Sequence, residues 1–384
     1  MTMADARPAA PSAFLAQLAH PARVLDVRPR PVPCVLLLSR ACDGELDAVQ
    51  DRLAAEGVRT ARLNADELLA TDLLVAPDSR AARLNGRWLA PTVTWIRHFA
   101  VSAVEAPATG VPGTGTAGDR ARTRFLRESW QAAAGQLATI SGTAIRPRRP
   151  GLLAQLQLAR RHRIAVPRTL LTTDPSRVGD AFDCPRLVLK AAHHHFVESA
   201  PGRLTGVFPV IVERTGQGAA PPSPGPSSPG PSFAAPPSAA GHPAPPVIVQ
   251  EYVEHEQELR VYYVAGRLHA FQVTKDDPAD PWLAPDRVGV RPVDPPPAVV
   301  SATRTLAAAM SLRYGAFDFL LSAGTPVFLE VNPDGDWCWA EQRTRTTPVT
   351  TAVTAMLAAL HRRALPAPGP FDLLAFLTAP PDRP

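Results

Sequence analysis

The sequence predicts a mixed fold, α/β in its first part and α+β in its second. The first part opens with an apolar strand, an amphipathic helix and a second strand, which is typical of a parallel βαβ unit. The second part is a longer mixture of strands and helices in which one strand hairpin carries two acidic residues. A chain of 384 residues, 45% of them hydrophobic, is long enough for two or three domains with a core.

The elements of the first part follow from its hydrophobic pattern. Residues 1–30 are rich in Ala, Pro and Arg, and we expect them to be disordered. CVLLLS forms a strand, ELDAVQDRLAAEG forms a helix that closes on Gly57, and VRTARLN forms the second strand. A further strand in LNGRWLAPTVTWIRHF ends near Trp95, and a helical pattern runs from Thr123 to about Ile140.

A loop rich in Pro, Gly and Thr at residues 105–119 contains the pattern GxGxxG, formed by Gly113, Gly115 and Gly118. In a dinucleotide site this pattern follows a strand and opens a helix, whose N-terminus binds the pyrophosphate. Here no predicted strand leads into it, so we do not expect a dinucleotide site.

The second part begins with GLLAQLQLARRHRIAVPRTLLTTDP, which predicts a helix, a turn at Val166 and Pro167, and a strand. PRLVLKAA then supplies a strand that ends at Lys190. The strands PVIVQEYV, ELRVYYVAG and RLHAFQVT follow, and then a helix from about Pro297 to Leu312. YGAFDFLLS and PVFLEVNP form a hairpin, and TPVTTAVTAMLAALHRR forms the closing helix.

An insert at residues 215–246 separates the strands of the second part. It is dominated by Pro, Ser, Ala and Gly, and such a composition cannot bury enough apolar surface to become ordered. We therefore expect a flexible loop.

Composition argues against several classes of protein. No segment reaches about 18 consecutive apolar residues and residues 1–30 lack a signal core, so we expect a cytoplasmic protein without a membrane partner. The four cysteines are scattered, which predicts neither a disulfide framework nor a zinc site. The net charge of +5 would suit an acidic partner, but the basic residues are dispersed, which argues against nucleic acid.

The predicted hairpin places polar side chains on apolar strands. Asp318 interrupts GAFDFLL, and Glu330 interrupts the partner strand twelve residues later, with Asn332 on the same face. Buried carboxylates are costly unless they are paired or bind a cation, and an all-oxygen ligand set suits magnesium beside nucleotide phosphates. The alternative is that both acids pair with arginines at a sheet edge.

Only two of the 40 basic residues are lysines, Lys190 and Lys275. Lys190 ends the apolar strand LVLK, where an ammonium can hold a phosphate or, alternatively, reach solvent. Lys275 is interpreted as an exposed lysine. The stretch VIVQEYVEHEQELRV turns from apolar to polar and could bind a purine edge and ribose hydroxyls, although taken alone it is a weak signal.

Two further groups have competing interpretations. His193, His194 and His195 suggest a metal site, but consecutive side chains point in different directions, so we expect a loop that closes over a triphosphate. Trp337 and Trp339 share a face and either wall a substrate site or pack in the core.

Taken together, these motifs resemble the ATP-grasp superfamily, most closely its RimK-like branch and the peptide maturases of the microviridin or graspetide synthetase type. The spacing of Asp318, Glu330 and Asn332, with LVLK, QEYV and ELR before it, follows the order of that superfamily. VTWIRHF, IAVPRTLLTTDP and FLEVNPDGDWCWAE support the narrower branch. The resemblance covers roughly residues 33 to 362, apart from the insert.

The resemblance implies an ATP-grasp fold preceded by a βαβ pre-ATP-grasp domain. The implied limits are residues 31–145 for the pre-ATP-grasp domain, 150–365 for the ATP-grasp domain and 366–384 for a C-terminal tail. It also implies ATP and Mg²⁺ as cofactors. Lys190 would contact the nucleotide phosphates, Arg260 would steady the phosphates or the acyl phosphate, and Glu258 would hold the ribose. The adenine hinge would consist of Gln250, Glu251 and Val253, and the magnesium ligands would be Asp318, Glu330 and Asn332.

Two positions depart from the pattern of the superfamily. Relatives usually carry a lysine in the helix where this chain has Leu152, and an arginine after a tryptophan where it has Leu283. Arg287 or Arg291 could replace that arginine. Without a replacement, activity would be weak or lost.

The resemblance implies a ligase that activates a peptide side-chain carboxylate as an acyl phosphate and then forms an ester or amide crosslink. Its partner would be a small ribosomal precursor peptide recognised through a leader, and a homodimer is left open. The alternatives are a ligase that joins an amino acid to a peptide or small molecule, a nucleotide-binding or partner-binding protein without turnover, and a nucleic-acid-binding protein.

Overall fold

The protein is described by a computed structural model, which covers residues 31–75, 80–101, 104, 117–146, 150–175, 178, 181–192, 196–200, 203–206, 209–213, 246–278, 280 and 287–365. The predicted disordered N-terminus, the C-terminal tail and nearly all of the 215–246 insert lie outside these residues.

Three sheets and six α-helices form the framework of the described residues, together with a two-stranded ribbon and a 3-10 helix, Ala65–Ala70. The α-helices are α1 (Gly44–Ala55), α2 (Ala117–Ile140), α3 (Leu152–Arg161), α4 (Pro297–Ala309), α5 (Cys338–Thr344) and α6 (Pro348–Ala364). The strands are β1 (Val32–Ser39), β2 (Thr60–Asn64), β3 (Leu73–Val75), β4 (Ala82–Leu84), β5 (Arg87–Ile96), β6 (Thr143–Ile145), β7 (Thr169–Thr172), β8 (Arg186–Ala191), β9 (Phe196–Ala200), β10 (Arg203–Gly206), β11 (Val210–Glu213), β12 (Val247–Glu251), β13 (Gln257–Val264), β14 (Arg267–Lys275), β15 (Val288–Val293), β16 (Tyr314–Ser322) and β17 (Thr325–Asn332).

The first sheet has the order β2-β1-β5-β4-β3, with β6 also paired to β5. β1 runs parallel to both β2 and β5, so the predicted βαβ opening is confirmed. Alternate residues of β1 pack in different cores, because side chains alternate across a strand. Val35 and Leu37 meet helix α1, whereas Leu36 and Leu38 meet helix α2.

The second sheet has the order β11-β8-β12-β7, and all its pairs are antiparallel. Its apolar core in the described residues is small and centres on Phe182, Leu187 and Val249.

The third sheet has the order β15-β14-β13-β16-β17, again antiparallel. Leu259, Phe317 and Phe319 line one face and pack against helices α3 and α4. The opposite face, which we call the site face, carries Arg260 and Asp318 as cross-strand partners.

The site face is apolar at one end. Tyr262, Tyr314 and Ala316 pack there against the first sheet and helix α6, in a core that also contains Trp95. Since helix α6 belongs to the second part of the chain yet completes this shared core, the domain limits 31–145 and 150–365 stay a prediction.

The predicted long elements are present, with some shifted ends. Helix α2 begins at Ala117 rather than Thr123, helix α4 ends at Ala309 rather than Leu312, and strand β8 continues through Ala191. The prediction lacked β3, β4, β6, β9, β10, β11, β15 and helix α5, which are too short or too polar to give a clear period and depend on their neighbours. None of the helices in the described ranges is long and apolar enough to cross a membrane.

Candidate active site

The three predicted magnesium ligands lie together on the site face. Asp318 on β16 is the direct cross-strand partner of Glu330 on β17, and Ala316 is the partner of Asn332. The amide Nδ2 of Asn332 donates a hydrogen bond of 3.3 Å to Glu330 Oε1. A β-bulge follows directly after Asp318, and bulges of this kind often re-aim side chains beside active sites.

Arg260 lies next to Asp318 on the neighbouring strand β13. Its Nη1 donates hydrogen bonds of 2.9 and 2.8 Å to the two carboxylate oxygens of Asp318, and both side chains are buried. Burial raises the pKa of Asp318 to about 6; Arg260 offsets part of this effect, and nearby Glu330 adds to it. The interpretation that the acids pair with arginines therefore holds for Asp318, although on interior strands rather than at a sheet edge.

These residues fit a magnesium ion by their chemistry. All the candidate ligand atoms are oxygens, and the burial that raises the pKa of Asp318 makes its carboxylate costly unless cations stabilise it. The set holds two carboxylates and one amide. Among the described residues there is no group of three or more His, Cys, Asp or Glu side chains placed to hold a metal.

Lys275 is not the exposed lysine that the sequence suggested. Its ammonium lies 3.0 Å from Glu258, and both side chains are largely buried. The pair stands on the site face, since Glu258 and Arg260 are two residues apart on β13. Glu258, which the resemblance assigns to ribose, thus already binds a cation in this structure.

Lys190 lies on the second sheet and is buried. Its cross-strand partner is Ile248, so it shares a face with Gln250 and lies opposite the small apolar core. Among the described residues its ammonium has no hydrogen-bond or ion-pair partner. A buried cation in this state is suited to binding an anion, and the alternative of a lysine that reaches freely into solvent is wrong.

The predicted adenine hinge follows on strand β12. The Gln250 side chain is buried and donates a 2.9 Å hydrogen bond to Thr169 Oγ1. Glu251 accepts a 2.8 Å hydrogen bond from the backbone N–H of Arg168, and the carbonyl of Val253 bonds to His255 Nδ1 at 2.8 Å. The first two side chains therefore hold strand β12 against β7, and the backbone N–H groups of Glu251 and Tyr252 also donate hydrogen bonds, to the carbonyls of Arg168 and Arg186.

Two positions, Leu152 and Leu283, were noted above as departing from the pattern of the ATP-grasp superfamily, together with two arginines that could compensate. Leu152 packs on the apolar core beside α4, so it cannot supply the charge of a lysine. Arg291 bonds to Gln272 on the face opposite Arg260, and Arg287 pairs with Asp280 at 3.0 Å. Lys275 is an additional cation on the site face. Leu283 and the histidines 193–195 lie outside the described residues, as do two of the three glycines of the GxGxxG pattern.

An ionic cluster that the sequence did not predict joins the first sheet to the loop after β17; it is buried around Arg97 and partly exposed at Asp336. Arg97 is fully buried and pairs with Asp43 at 2.8 Å, with Glu45, and with Asp336 at 2.9 Å. His98 Nε2 lies 2.8 Å from the same Asp336 oxygen. The sequence signal for this cluster was the position of its charged residues at the ends of elements. Arg97 and His98 directly follow the apolar strand β5, and Asp43 directly precedes α1.

The backbone of this loop is also held in place. Glu45 accepts hydrogen bonds from the N–H groups of Trp337 and Cys338, and the Tyr262 hydroxyl donates a 2.6 Å bond to the carbonyl of Asp336. Trp337 is fully buried and stacks on Trp95 with 6.4 Å between ring centroids. Core packing is therefore the correct interpretation of Trp337, while Trp339 is partly exposed beside Arg343.

Comparison with solved structures identifies the fold. The macrocyclase MdnC of Microcystis aeruginosa MRC, bound with precursor peptide MdnA, has a TM-score of 0.62 at 18% identity, over 85% of this chain and 99% of that one. The ATP-grasp ligase PsnB, complexed with a minimal precursor, has a TM-score of 0.62 at 16% identity over 85% and 98%. A RiPP-associated ATP-grasp ligase of Chryseobacterium gregarium, with ADP and a leader and core peptide, has a TM-score of 0.60 at 16% identity over 85% and 97%.

The chain thus has the ATP-grasp fold, as the motifs predicted. No family model matches the sequence, and no curated protein matches it.

Proposed function

We propose that this protein is an ATP-dependent ligase that crosslinks a small ribosomal precursor peptide. A side-chain carboxylate of the peptide attacks the γ-phosphate of ATP, and ADP leaves. A hydroxyl or amine of the same peptide then attacks the acyl phosphate, and inorganic phosphate leaves as an ester or amide forms.

The observation that carries the proposal is the site face itself. Asp318, Glu330 and Asn332 form one all-oxygen group beside Arg260, within a fold shared with ligases solved in complex with precursor peptides. PsnB is also solved with its minimal precursor, Mg and ADP, and with a precursor peptide and AMPPNP. We extend ATP and magnesium from those proteins to this one.

Each side chain then has a defined task. Bound to Asp318, Glu330 and Asn332, magnesium would neutralise charge on the transferred phosphate. Lys190, a buried cation without a protein partner among the described residues, binds phosphate oxygens. Arg260 steadies the phosphates or the acyl phosphate, and Gln250, Glu251 and Val253 present the hinge to adenine.

The remaining contacts of the substrates are assigned by chemistry. Glu258 holds the ribose, with Lys275 beside it as a further cation on the site face. The net charge of +5 suits an acidic peptide. We place the protein in the cytoplasm, where ATP is available and its four free cysteines stay reduced.

The test is a mass spectrum of the small peptide encoded beside the gene after incubation with the protein, ATP and magnesium. We expect loss of one or more waters with the wild type, and none with Glu330→Gln, which keeps the side-chain size but loses the charge. Glu128→Gln, the same change at an exposed position of helix α2, is the matched control and should react normally. Full activity of Glu330→Gln would contradict the magnesium assignment.

A second candidate is a nucleotide-binding protein without turnover. Leu152 favours it, because this residue packs in the core where relatives usually carry a lysine. In that case, ADP would bind in the presence of magnesium but the peptide mass and the ATP concentration would stay unchanged. Consumption of a free amino acid would instead indicate a ligase that joins an amino acid to a peptide.

A further inference from the structure

His98 and Asp336 meet at the carboxyl edge of the first sheet. From β1 the chain passes through α1 to β2 on one side, and from β5 it passes through α2 to β6 on the other. The crevice between the ends of two such strands is a common place for substrates in parallel sheets. His98 follows the end of β5, and Asp336 reaches it from the loop after β17.

The pair has the geometry of an oriented base. His98 Nε2 lies 2.8 Å from Asp336 Oδ1, and His98 has a left-handed backbone with φ of 50°. A carboxylate only accepts hydrogen bonds, so in the neutral imidazole Nε2 carries the proton and Nδ1 keeps its lone pair. Non-glycine residues in this backbone region cost energy and are frequent at functional sites.

The charges around the pair keep Asp336 ionised. Burial alone would raise the pKa of Asp336, but the hydrogen bond and charge of His98 and the charges of Arg97 and Arg40 together lower it well below its usual value. Asp43 also faces His98, from the turn before α1. About half of the Asp336 side chain is exposed (53%), and the His98 ring is partly exposed, so the pair is open to a substrate.

The pair also adjoins the site face. Gly335, the residue before Asp336, passes so close to Arg260 that a Cβ on it would lie 2.8 Å from Arg260 Nη2. The backbone carbonyl of Asp336 accepts a hydrogen bond from the hydroxyl of Tyr262, which lies two residues beyond Arg260 on the same strand. The His98–Asp336 pair therefore adjoins the loop that runs beside Arg260, the residue proposed to steady the phosphates or the acyl phosphate.

We propose that His98, oriented by Asp336, is the base that activates the acceptor group of the peptide; this inference rests on the proposed ligase function. Nδ1 of His98 takes the proton of the acceptor hydroxyl or amine as its oxygen or nitrogen bonds to the acyl carbon. The bond between that carbon and the phosphate oxygen breaks, and phosphate leaves. His98 then returns the proton to water, so no oxidant or reductant is needed.

The experiment separates the two half-reactions with hydroxylamine, which captures an acyl phosphate as a hydroxamate. The wild type and His98→Gln are incubated with the peptide encoded beside the gene, ATP and magnesium, with or without hydroxylamine. We expect His98→Gln to crosslink about 100-fold more slowly or worse, while hydroxamate forms within about two-fold of the wild-type rate. His162→Gln, at an exposed histidine after α3, is the matched control and should behave as the wild type.

The pH profile gives an additional readout. Crosslinking by the wild type should fall more steeply towards acidic pH than hydroxamate formation does, and this difference should be absent from His98→Gln. A crosslinking rate of His98→Gln within about two-fold of the wild type would overturn the inference, and so would an equal loss of hydroxamate and crosslink. If the wild type forms neither product, the proposed ligase function fails first, and the inference falls with it.

A measurement on the wild-type protein avoids the risk that a variant does not fold. A long-range ¹⁵N–¹H spectrum of the full chain with labelled histidines should contain a signal from His98 in which Nε2 carries the proton and Nδ1 carries none. That signal should be missing from His98→Gln and should shift in Asp336→Asn. A neutral His98 ring that carries its proton on Nδ1 would overturn the assignment of His98 as the base.

Discussion

At the scale of single residues, Asp318 combines a cost to the fold with a proposed role in the site. It lies within an apolar strand, where burial raises its pKa to about 6, and Arg260 offsets that effect only in part. A residue with a raised carboxyl pKa binds its proton more tightly in the folded state than in the unfolded state. Its contribution to stability is therefore complete below the ordinary value of 3.8 and is lost as the pH rises through about 6.

This gives a prediction for the protein without metal. Between about pH 4 and pH 6.5, the free energy of unfolding of the wild type should fall by up to about 3 kcal/mol relative to that of Asp318→Asn, which cannot titrate there. Urea unfolding of both proteins in EDTA across this range measures the difference. A difference that rises with pH would mean that the attraction of Arg260 outweighs burial.

At the scale of elements, the loop between β17 and α5 is fixed by groups from two sheets. Glu45, in the first turn of α1, accepts bonds from two N–H groups of this loop and also pairs with Arg97. All of these groups are buried or nearly so, and each would be left without one of its partners if the carboxylate were removed. The position of the His98–Asp336 pair depends on this arrangement.

Glu45→Ala should therefore destabilise the protein by about 3–5 kcal/mol, because it leaves a buried cation short of charge and two N–H groups unbonded. Asp47→Ala on the same helix is the control: Asp47 is 61% exposed and, among the described residues, its carboxylate pairs only with Arg62, so the cost should stay below about 1 kcal/mol. Urea unfolding compares the two variants. Equal costs would mean that the ionic cluster does not hold the loop.

At the scale of the whole molecule, apolar cores are unevenly distributed. The first and third sheets share one large core through helix α6, while the core of the second sheet is small in the described residues. Regions with few buried apolar contacts open more readily than well-packed ones. The second sheet also carries Lys190 and the hinge, so nucleotide binding should stabilise the part of the fold that opens first.

Hydrogen exchange tests this expectation. Without ligand, amides of β8 and β12 should exchange faster than those of β16; with ADP and magnesium at about 100 times the dissociation constant, their exchange should slow by up to about 100-fold. Strand β2, at an edge of the first sheet, serves as an internal control and should exchange at the same rate in both conditions. Unchanged exchange in β8 and β12 would argue against a nucleotide site on the second sheet.

The sequence by itself determined the parts of the fold that have a strong local pattern. The opening βαβ unit and the hairpin of β16 and β17 follow from hydrophobic periodicity, and a strand period of two is enough to put Glu330 and Asn332 on one face. The motifs also indicated the ATP-grasp fold, which the solved structures bear out.

Only the tertiary structure decided which charges meet. The pairing of Arg260 with Asp318, of Lys275 with Glu258, and of His98 with Asp336 joins residues that are 58, 17 and 238 positions apart. No local pattern encodes such distances, because they depend on strand register and on how sheets pack. For the same reason Trp337 could not be placed in the core from its sequence, since it lies in the loop before α5 and the ring on which it stacks, Trp95, belongs to the first sheet.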